Sequence, residues 1–204
     1  MAKAPQAGRV KTRLCPPCTS EEAAAVAEAA LADTLDAVAA AGADRCVLAL
    51  DGPPGPWLPT GFEVVVQRGE TFGERLDAAW AHAGGPGLQI GMDTPQVTPL
   101  LLSAGLERLR DGASCLLGPA ADGGWWAIGL QAPLTGLFAS VPMSTADTGA
   151  VQRQRCEEAG LTVESLPELV DVDTIADAHR VAASAPTTRF ASAVRALTLA
   201  ESAP

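Results

Sequence analysis

Lysine is almost missing from this chain: Lys3 and Lys11 are the only two among 204 residues. Histidine is equally scarce, and His82 and His179 form no spaced pair of the kind that holds zinc. Long apolar runs are lacking too. Nothing approaches the roughly 18 to 20 apolar residues of a membrane span, and the basic start meets Pro5, Gly8 and Arg9 in place of an apolar signal core. The expected location is therefore the cytoplasm. Five cysteines, an odd number without an export signal, exclude a disulfide framework. Cys15-Pro-Pro-Cys18 has the spacing of half a zinc or redox site, but Cys46, Cys115 and Cys156 are scattered, so the thiols read as ordinary reduced cysteines. With a formal net charge of -10, nucleic acid and anionic membranes are repelled everywhere except at one small basic patch.

That patch is concentrated at the start. Lys3, Arg9, Lys11 and Arg13 place four of the fourteen basic residues within eleven positions, beside Gly8. Glycine lets the backbone approach an oxyanion, lysine adds a point charge and arginine a planar fork of donors. A small phosphorylated ligand fits this pattern.

With 48% hydrophobic and 19% charged residues the chain can bury one sizeable core, and residues 1–204 read as one domain. Apolar runs alternate with helical patterns, the rhythm of an α/β fold with a mainly parallel sheet between helices. Thr19 with Glu22 and Thr71 with Glu74 are capping boxes, predicting helices to about Ala41 and Ala83. Thr98-Pro99 opens another helix, followed by one near Asp147 to Ala159 and two more at the end. Strands are predicted at Arg45 to Leu50, Glu63 to Gln67, Leu88 to Met92, Ser114 to Gly118, Trp125 to Gly129 and Leu161 to Leu166. Residues 185–204 read as a C-terminal helix and tail. In open α/β folds a phosphate loop follows a buried strand, yet only Met1 and Ala2 precede Lys3, so the first strand is expected to be absent or a stub.

Three acidic positions follow strand-like runs, where open α/β sheets place ligands. Asp93 ends Gln89-Ile-Gly-Met-Asp93. Asp171 and Asp173 flank Val172 and would point to one side of an extended backbone. Their hard oxygens suit Mg²⁺ or Mn²⁺, which typically take one or two carboxylates plus phosphate oxygens. Asp122-Gly123-Gly124-Trp125-Trp126 is a flexed turn before two rings, one able to pack in the core while the other faces a ligand. Asp122 suits a ribose, a sugar hydroxyl or a metal. Arg75, at the start of its helix, can reach a phosphate or base, or pair with a neighbouring carboxylate.

Taken in order, Ala2-Lys-Ala-Pro-x-x-Gly8-Arg-Val-Lys-Thr-Arg-Leu14, Gly73-Glu-Arg75, Ile90-Gly-Met-Asp93-x-Pro95, Gly118-Pro-Ala-x-Asp122-Gly-Gly124, Ser144-Thr145 and Asp171-Val-Asp-Thr174 resemble a bacterial family of glycosyltransferase A-like proteins. Its members carry labels such as glycosyltransferase or radical-SAM/selenodomain-associated transferase. The resemblance runs from Ala2 to about Asp177 and implies the nucleotide-diphospho-sugar transferase fold, shared with molybdenum-cofactor and phospholactate guanylyltransferases. It also implies a post-strand loop holding nucleotide phosphates through Gly8, Arg9, Lys11 and Arg13, with Lys3 and Thr12 in the same segment, and metal positions at Asp93 and Asp173. The chain departs from the family in its Trp125-Trp126 pair, usually tyrosine-rich, and in Met143, usually tryptophan; both fall where an acceptor could bind.

The expected function is that of a metal-dependent transferase using a nucleotide donor. Lys11, Arg13 and Asp93 would carry catalysis, and Gly123 and Gly124 would help hold the donor. Nucleotidyl transfer from a nucleoside triphosphate to a small phosphorylated or hydroxyl acceptor is favoured by the single aspartate of Met92-Asp93-Thr94. Glycosyl transfer from a nucleotide-sugar and non-catalytic nucleotide binding are the alternatives.

Overall fold

The computed structural model describes the backbone of residues 1–201 and the side chains of residues 1–197; the expected tail beyond them lies outside the described residues. Among the described residues, seven strands and six α-helices follow in the order β1 (Ala2–Lys3), α1 (Ser20–Ala39), β2 (Cys46–Asp51), β3 (Phe62–Val66), α2 (Phe72–Ala83), β4 (Gly87–Ile90), α3 (Pro99–Arg110), β5 (Cys115–Pro119), β6 (Trp125–Leu130), α4 (Thr148–Glu158), β7 (Val163–Ser165), α5 (Ile175–Ser184) and α6 (Arg189–Glu201). The strands order as β1-β2-β3 and β4-β6-β5-β7. The first group is parallel, as are β5 and β7. β6 runs antiparallel to both β4 and β5, a reversal the alternating rhythm of the sequence did not announce. It follows from a connection of only five residues, Ala120 to Gly124, since parallel neighbours need a crossover of a dozen or more.

Helix starts obey their capping residues. The side chains of Thr19, Thr71 and Thr174 each accept from the backbone N–H three residues on, and Glu22, Glu74 and Asp177 return the bond. Thr98 caps α3 with Pro99 at its first position. Each cap fixes where a helix begins and therefore where the preceding loop must end.

Side chains of β5 alternate between two cores, as a strand covered on both faces requires. Leu116 packs with Leu102 and Leu109 of α3 and Ala37 of α1. Cys115 and Leu117 face Leu76 and Trp80 of α2 and Cys156 of α4. A further layer forms where Val181 of α5 and Phe190 and Val194 of α6 cover Ala23, Val26 and Ala30 of α1. Burying each large side chain contributes about 1.5 to 3 kcal/mol, so this layer holds α5, and the segment before it, firmly.

β1 is the expected stub. Its two residues pair with Leu50 and Asp51 of β2, and the Gln67 amide donates to both Ala2 O (2.8 Å) and Ala49 O (3.1 Å), fastening strand to strand. Ala4 N–H turns to Asp51 O on β2, whereas Met1 donates to Ile90 O and Lys3 N–H to Met92 Sδ. That alternation is the pattern of a strand with a neighbour on either side. β1 thus sits between β2 and β4, and the two strand groups separate because it is short. Among the described residues, no helix is long and apolar enough to cross a membrane.

Candidate functional site

The loop after β1 is anchored by its apolar residues. Val10 is buried against Ala24 and Ala27 of α1, and Leu14 is fully buried among α1, α5 and α6. With these two plugs fixed, Lys11, Thr12 and Arg13 are directed into a cavity of about 450 Å³ at the ends of β1 and β4. Its walls also carry Lys3, Arg9, Arg75, Asp93, Asp122, Asp171 and Asp173. Lys11 adopts a left-handed backbone with φ 48°, and its side chain is only 7% exposed.

Cations and carboxylates interlock here. Lys11 Nζ lies 2.6 Å from Asp93 Oδ1 and 3.7 Å from Asp173 Oδ1, and also donates to Val172 O. Arg13 holds the other oxygen of Asp173 at 2.7 Å. Val172 N–H donates to Asp93 O at 2.9 Å, joining the two acidic segments through the backbone. Val172 itself is fully buried with α5 and α6, so Asp171 and Asp173 on either side reach the cavity, as their spacing implied. Burial pushes the Asp171 carboxyl up to about 7; the nearby negative charges of Asp93, Asp122 and Asp173 add to the rise and Lys11 opposes it.

Three buried polar atoms lining the cavity have no hydrogen-bond partner: Thr94 Oγ1, Trp125 Nε1 and Asp171 Oδ1. Orphaned buried groups are costly, about 1 to 3 kcal/mol each, and their concentration in one concave space is what a polar ligand would relieve. Hard oxygens from Asp93 and Asp173, brought to one ammonium, fit Mg²⁺ or Mn²⁺ bound through two carboxylates plus ligand oxygens. Among the described residues no group of three or more His, Cys, Asp or Glu side chains forms a complete metal cage, so phosphate oxygens and water would have to complete the shell.

The expected site residues divide in two. Lys3, Arg9, Lys11, Thr12, Arg13, Arg75, Asp93, Asp122, Gly124 and Asp173 all line the cavity. Gly8 and Gly123 do not. Gly8 takes φ +74° in the open loop, and Gly123 takes φ +91° with Ala146 O only 2.0 Å from where a Cβ would stand, so its role is to let the turn dock on that backbone. Arg75 binds Gly69 O at 3.2 Å rather than a carboxylate. Arg9, 61% exposed, reaches Asp51 only at 3.9 Å. Lys11, expected to face a phosphate, lines the cavity and lies against the Asp93 and Asp173 carboxylates, with Val10 and Leu14 fixing the loop on α1. The tryptophan pair splits as anticipated: Trp126 is buried and donates to Pro167 O, while Trp125 is half-buried, tilted against Phe138 at 6.1 Å, and lines the cavity. Sequence reading did not bring out Thr94 as a site residue, and it weighed Asp171 without assigning it a role; the i and i+2 spacing around Val172 was the available signal for the latter.

Comparison with solved structures gives the same architecture. The chain superposes on a protein from Desulfovibrio desulfuricans G20, provisionally assigned as a nucleotide-diphospho-sugar transferase, with a TM-score of 0.83 and 25% identity over 95% of this chain and 90% of that one. Rv0371c from Mycobacterium tuberculosis H37Rv shares the fold at a TM-score of 0.55 and 23% identity, over 88% and 94%. CMP:2-keto-3-deoxy-manno-octonic acid synthetase, solved with CTP, does so at 0.50 and 15%, over 77% and 87%. No curated protein matches. The fold is thus that of the nucleotide-diphospho-sugar transferases, with a mainly parallel sheet. Residues 22–145, more than half of the chain and including Arg75, Asp93 and Asp122, match the family described as "Uncharacterized protein conserved in bacteria (DUF2064)", and the chain belongs to that family.

Proposed function

We propose that this protein is a metal-dependent transferase that binds a nucleotide donor in the charged cavity and transfers its nucleotidyl group to a small phosphorylated or hydroxyl acceptor. The observation that carries this reading is the meeting of opposite charges in one concave space: Lys3, Arg9, Lys11, Arg13 and Arg75 line the same 450 Å³ cavity as Asp93, Asp122, Asp171 and Asp173. A phosphate chain needs cations on its flanks, and a divalent ion needs carboxylates; this cavity supplies both. Ligand pockets commonly occupy about 300 to 1,000 Å³, so a nucleotide is of suitable size. The solved relatives support the reading through their fold, which in one case holds CTP.

Asp93 and Asp173 would hold Mg²⁺ or Mn²⁺, which when bound supplies neutralisation of charge on the leaving phosphate. Arg13, already fixed by Asp173, presents its remaining donors to a phosphate oxygen. Lys3 and Arg9 attract the tail of the chain from the open side. Thr94 Oγ1 and Trp125 Nε1 have hydrogen-bonding capacity to give to the donor or acceptor. Catalysis on this plan is positioning and electrostatic stabilisation, with the attacking atom coming from the acceptor and no protein nucleophile.

Glycosyl transfer is the second reading. It is favoured by the assignment given to the Desulfovibrio desulfuricans protein and by the half-buried Trp125 ring, a flat apolar surface on which a sugar can lie. Phosphorus NMR of turnover separates the two. Pyrophosphate released from a nucleoside triphosphate supports nucleotidyl transfer. Nucleoside diphosphate released from a nucleotide-sugar replaces it with glycosyl transfer. Saturable binding without either product contradicts both and leaves a nucleotide-binding protein.

A further inference from the structure

Four segments outside the basic loop build a continuous stretch of the charged cavity. Residues 169–173 lie in the middle, held on both sides by hydrogen bonds to backbone. On one side Leu169 bridges Ala120 in parallel register, with Leu169 N–H donating to Pro119 O at 3.1 Å and Ala121 N–H to Leu169 O at 2.9 Å. Asp171 and Asp122 each stand two residues beyond that bridge, so the register brings both carboxylates to one place. On the other side Val172 N–H donates to Asp93 O and the Gln96 amide to Val170 O at 2.8 Å, which lays the turn carrying Thr94 alongside Asp171.

The fourth segment, the loop ahead of α4, is clamped onto the Asp122 turn. Gly149 N–H donates to Gly123 O at 2.8 Å, and a Cβ at Gly149 would stand only 2.6 Å from Gly124 O, so the two backbones touch. Inside the loop the Thr148 hydroxyl donates to Pro142 O at 2.6 Å and accepts from Thr145 N–H at 3.1 Å. These bonds hold Ser144, which lines the cavity, at φ 59°, a left-handed backbone that a serine keeps only where its surroundings enforce it. Met143 and Trp125 pack against the same core cluster, which fixes the loop relative to the indole.

The polar groups of this stretch call for one kind of partner. Thr94, 1% exposed, has a hydroxyl without a partner, Trp125 Nε1 can only donate, and Asp171 Oδ1 is equally unmatched. A hydroxyl suits all three because it both donates and accepts. A phosphate dianion only accepts, and its charge has the wrong sign for Asp122 and Asp171. Asp171 already feels the negative charges of Asp93, Asp122 and Asp173, with the Lys11 ammonium opposing them. The cavity's cations come from the basic loop and, as Arg75, from α2; none belongs to the four segments that form this stretch.

We propose, resting on the transferase reading above, that this stretch is the acceptor subsite and that it takes a neutral acceptor with adjacent hydroxyls, a sugar or polyol, in preference to its phosphate ester. Thr94, Trp125 and Asp171 bond the hydroxyls, the indole ring covers the carbon skeleton, and Asp122 with Asp171 repels a phosphate. In either transfer reaction one acceptor oxygen forms the new bond, to the α-phosphorus or to the anomeric carbon. Pyrophosphate or nucleoside diphosphate leaves with the electron pair of the broken bond, and the hydroxyl proton passes to solvent.

The test has two arms. The common nucleoside triphosphates are first titrated with Mn²⁺, and the protein is then saturated with the α,β-methylene analogue of the one bound tightest. Ribose, glucose and glycerol, each beside its primary phosphate ester, are added to that complex and their affinities read by ligand-observed NMR. At least one parent is expected to bind about fivefold or more tighter than its ester. Thr94→Val and Trp125→Phe should each weaken that parent by about fivefold more than they weaken the nucleotide. Asp122→Asn, whose amide oxygen still accepts from Gly124 N–H, should narrow the preference over the ester by about threefold. Esters binding as tightly as their parents, no parent binding, equal losses of parent and nucleotide, or an unchanged preference in Asp122→Asn overturn the proposal while nucleotide binding stands. Failure of every nucleotide to bind sinks the transferase reading and this proposal with it.

Discussion

Two cavities share one wall. Met1, Ala2 and residues 89–92 line both the charged cavity and a more apolar one of about 390 Å³ between β2 and β4, and the two spaces differ in chemistry. In the charged cavity Lys11 and Arg13 are paired with Asp93 and Asp173, while Thr94, Trp125 and Asp171 each keep a buried polar atom without a hydrogen-bond partner. The other cavity is lined mainly by apolar side chains of α1, α2, α3 and β2. Because β1 is their common boundary and carries the basic loop at its end, packing on the apolar side bears on order in the site.

Trp126, buried beneath the charged cavity, offers the largest effect. Its ring packs with α1 and α3 side chains while Nε1 donates to Pro167 O, upstream of Asp171. Trp126→Ala should lower unfolding stability by about 3 to 5 kcal/mol, and Trp126→Phe by about 1 to 2 kcal/mol through the lost bond and volume; urea melts give both. A similar loss in each variant would place the ring outside the core packing described.

The two regions should respond to pH with opposite sign. Burial lowers the Met1 ammonium to about 6. Between that value and the ordinary 8 the unfolded chain binds more protons, so this group makes stability rise from pH 6 to 8, by about 2 kcal/mol. Asp171, raised to about 7 from 3.8, keeps its proton in the folded state between those two values while the unfolded chain has lost it, so its contribution is full below pH 3.8 and is lost as pH rises through 7. Asp171→Asn should remove the fall, by about 1 to 2 kcal/mol after allowance for its partial exposure, and an N-terminal extension should remove the rise. Stability–pH curves that keep both slopes in both variants would show that neither group is responsible.

Lys11 separates binding from folding. Lys11→Ala should cost nucleotide affinity by about 2 kcal/mol as a charge-assisted contact is lost, and should increase affinity for Mn²⁺ alone, since its ammonium no longer stands between Asp93 and Asp173. Calorimetric titration with each ligand checks the two halves. The smallest effect belongs to Arg9. At 61% exposure its removal should change stability by no more than about 0.5 kcal/mol, while reducing nucleotide affinity at low salt more than at high salt.

Much of this was legible from local chemistry. Thr19-Glu22, Thr71-Glu74 and Thr98-Pro99 announced three helix starts because capping is a property of four adjacent residues. The clustering of Lys3, Arg9, Lys11 and Arg13, and the spacing of Asp171 and Asp173, placed residues that share one cavity although about 160 positions separate them. What could not be read depended on distant partners. Nothing local shows that Lys11 meets Asp93 or that β6 reverses the sheet, since each is settled by which elements lie side by side. Gly123 is the intermediate case: its glycine was noticed for ligand approach, whereas the neighbour that demands it is the backbone of Ala146.

The central claim is that Asp93 and Asp173 together make nucleotide binding depend on a divalent ion. Isothermal titration of a nucleoside triphosphate into wild type, Asp93→Asn and Asp173→Asn, with and without Mn²⁺, tests it directly. The account predicts affinity in the wild type that strengthens at least tenfold with Mn²⁺, about 1.4 kcal/mol, and a gain lost in each variant while circular dichroism stays unchanged. Mn²⁺-dependent binding that persists in both folded variants, or nucleotide binding indifferent to the ion in the wild type, would contradict it.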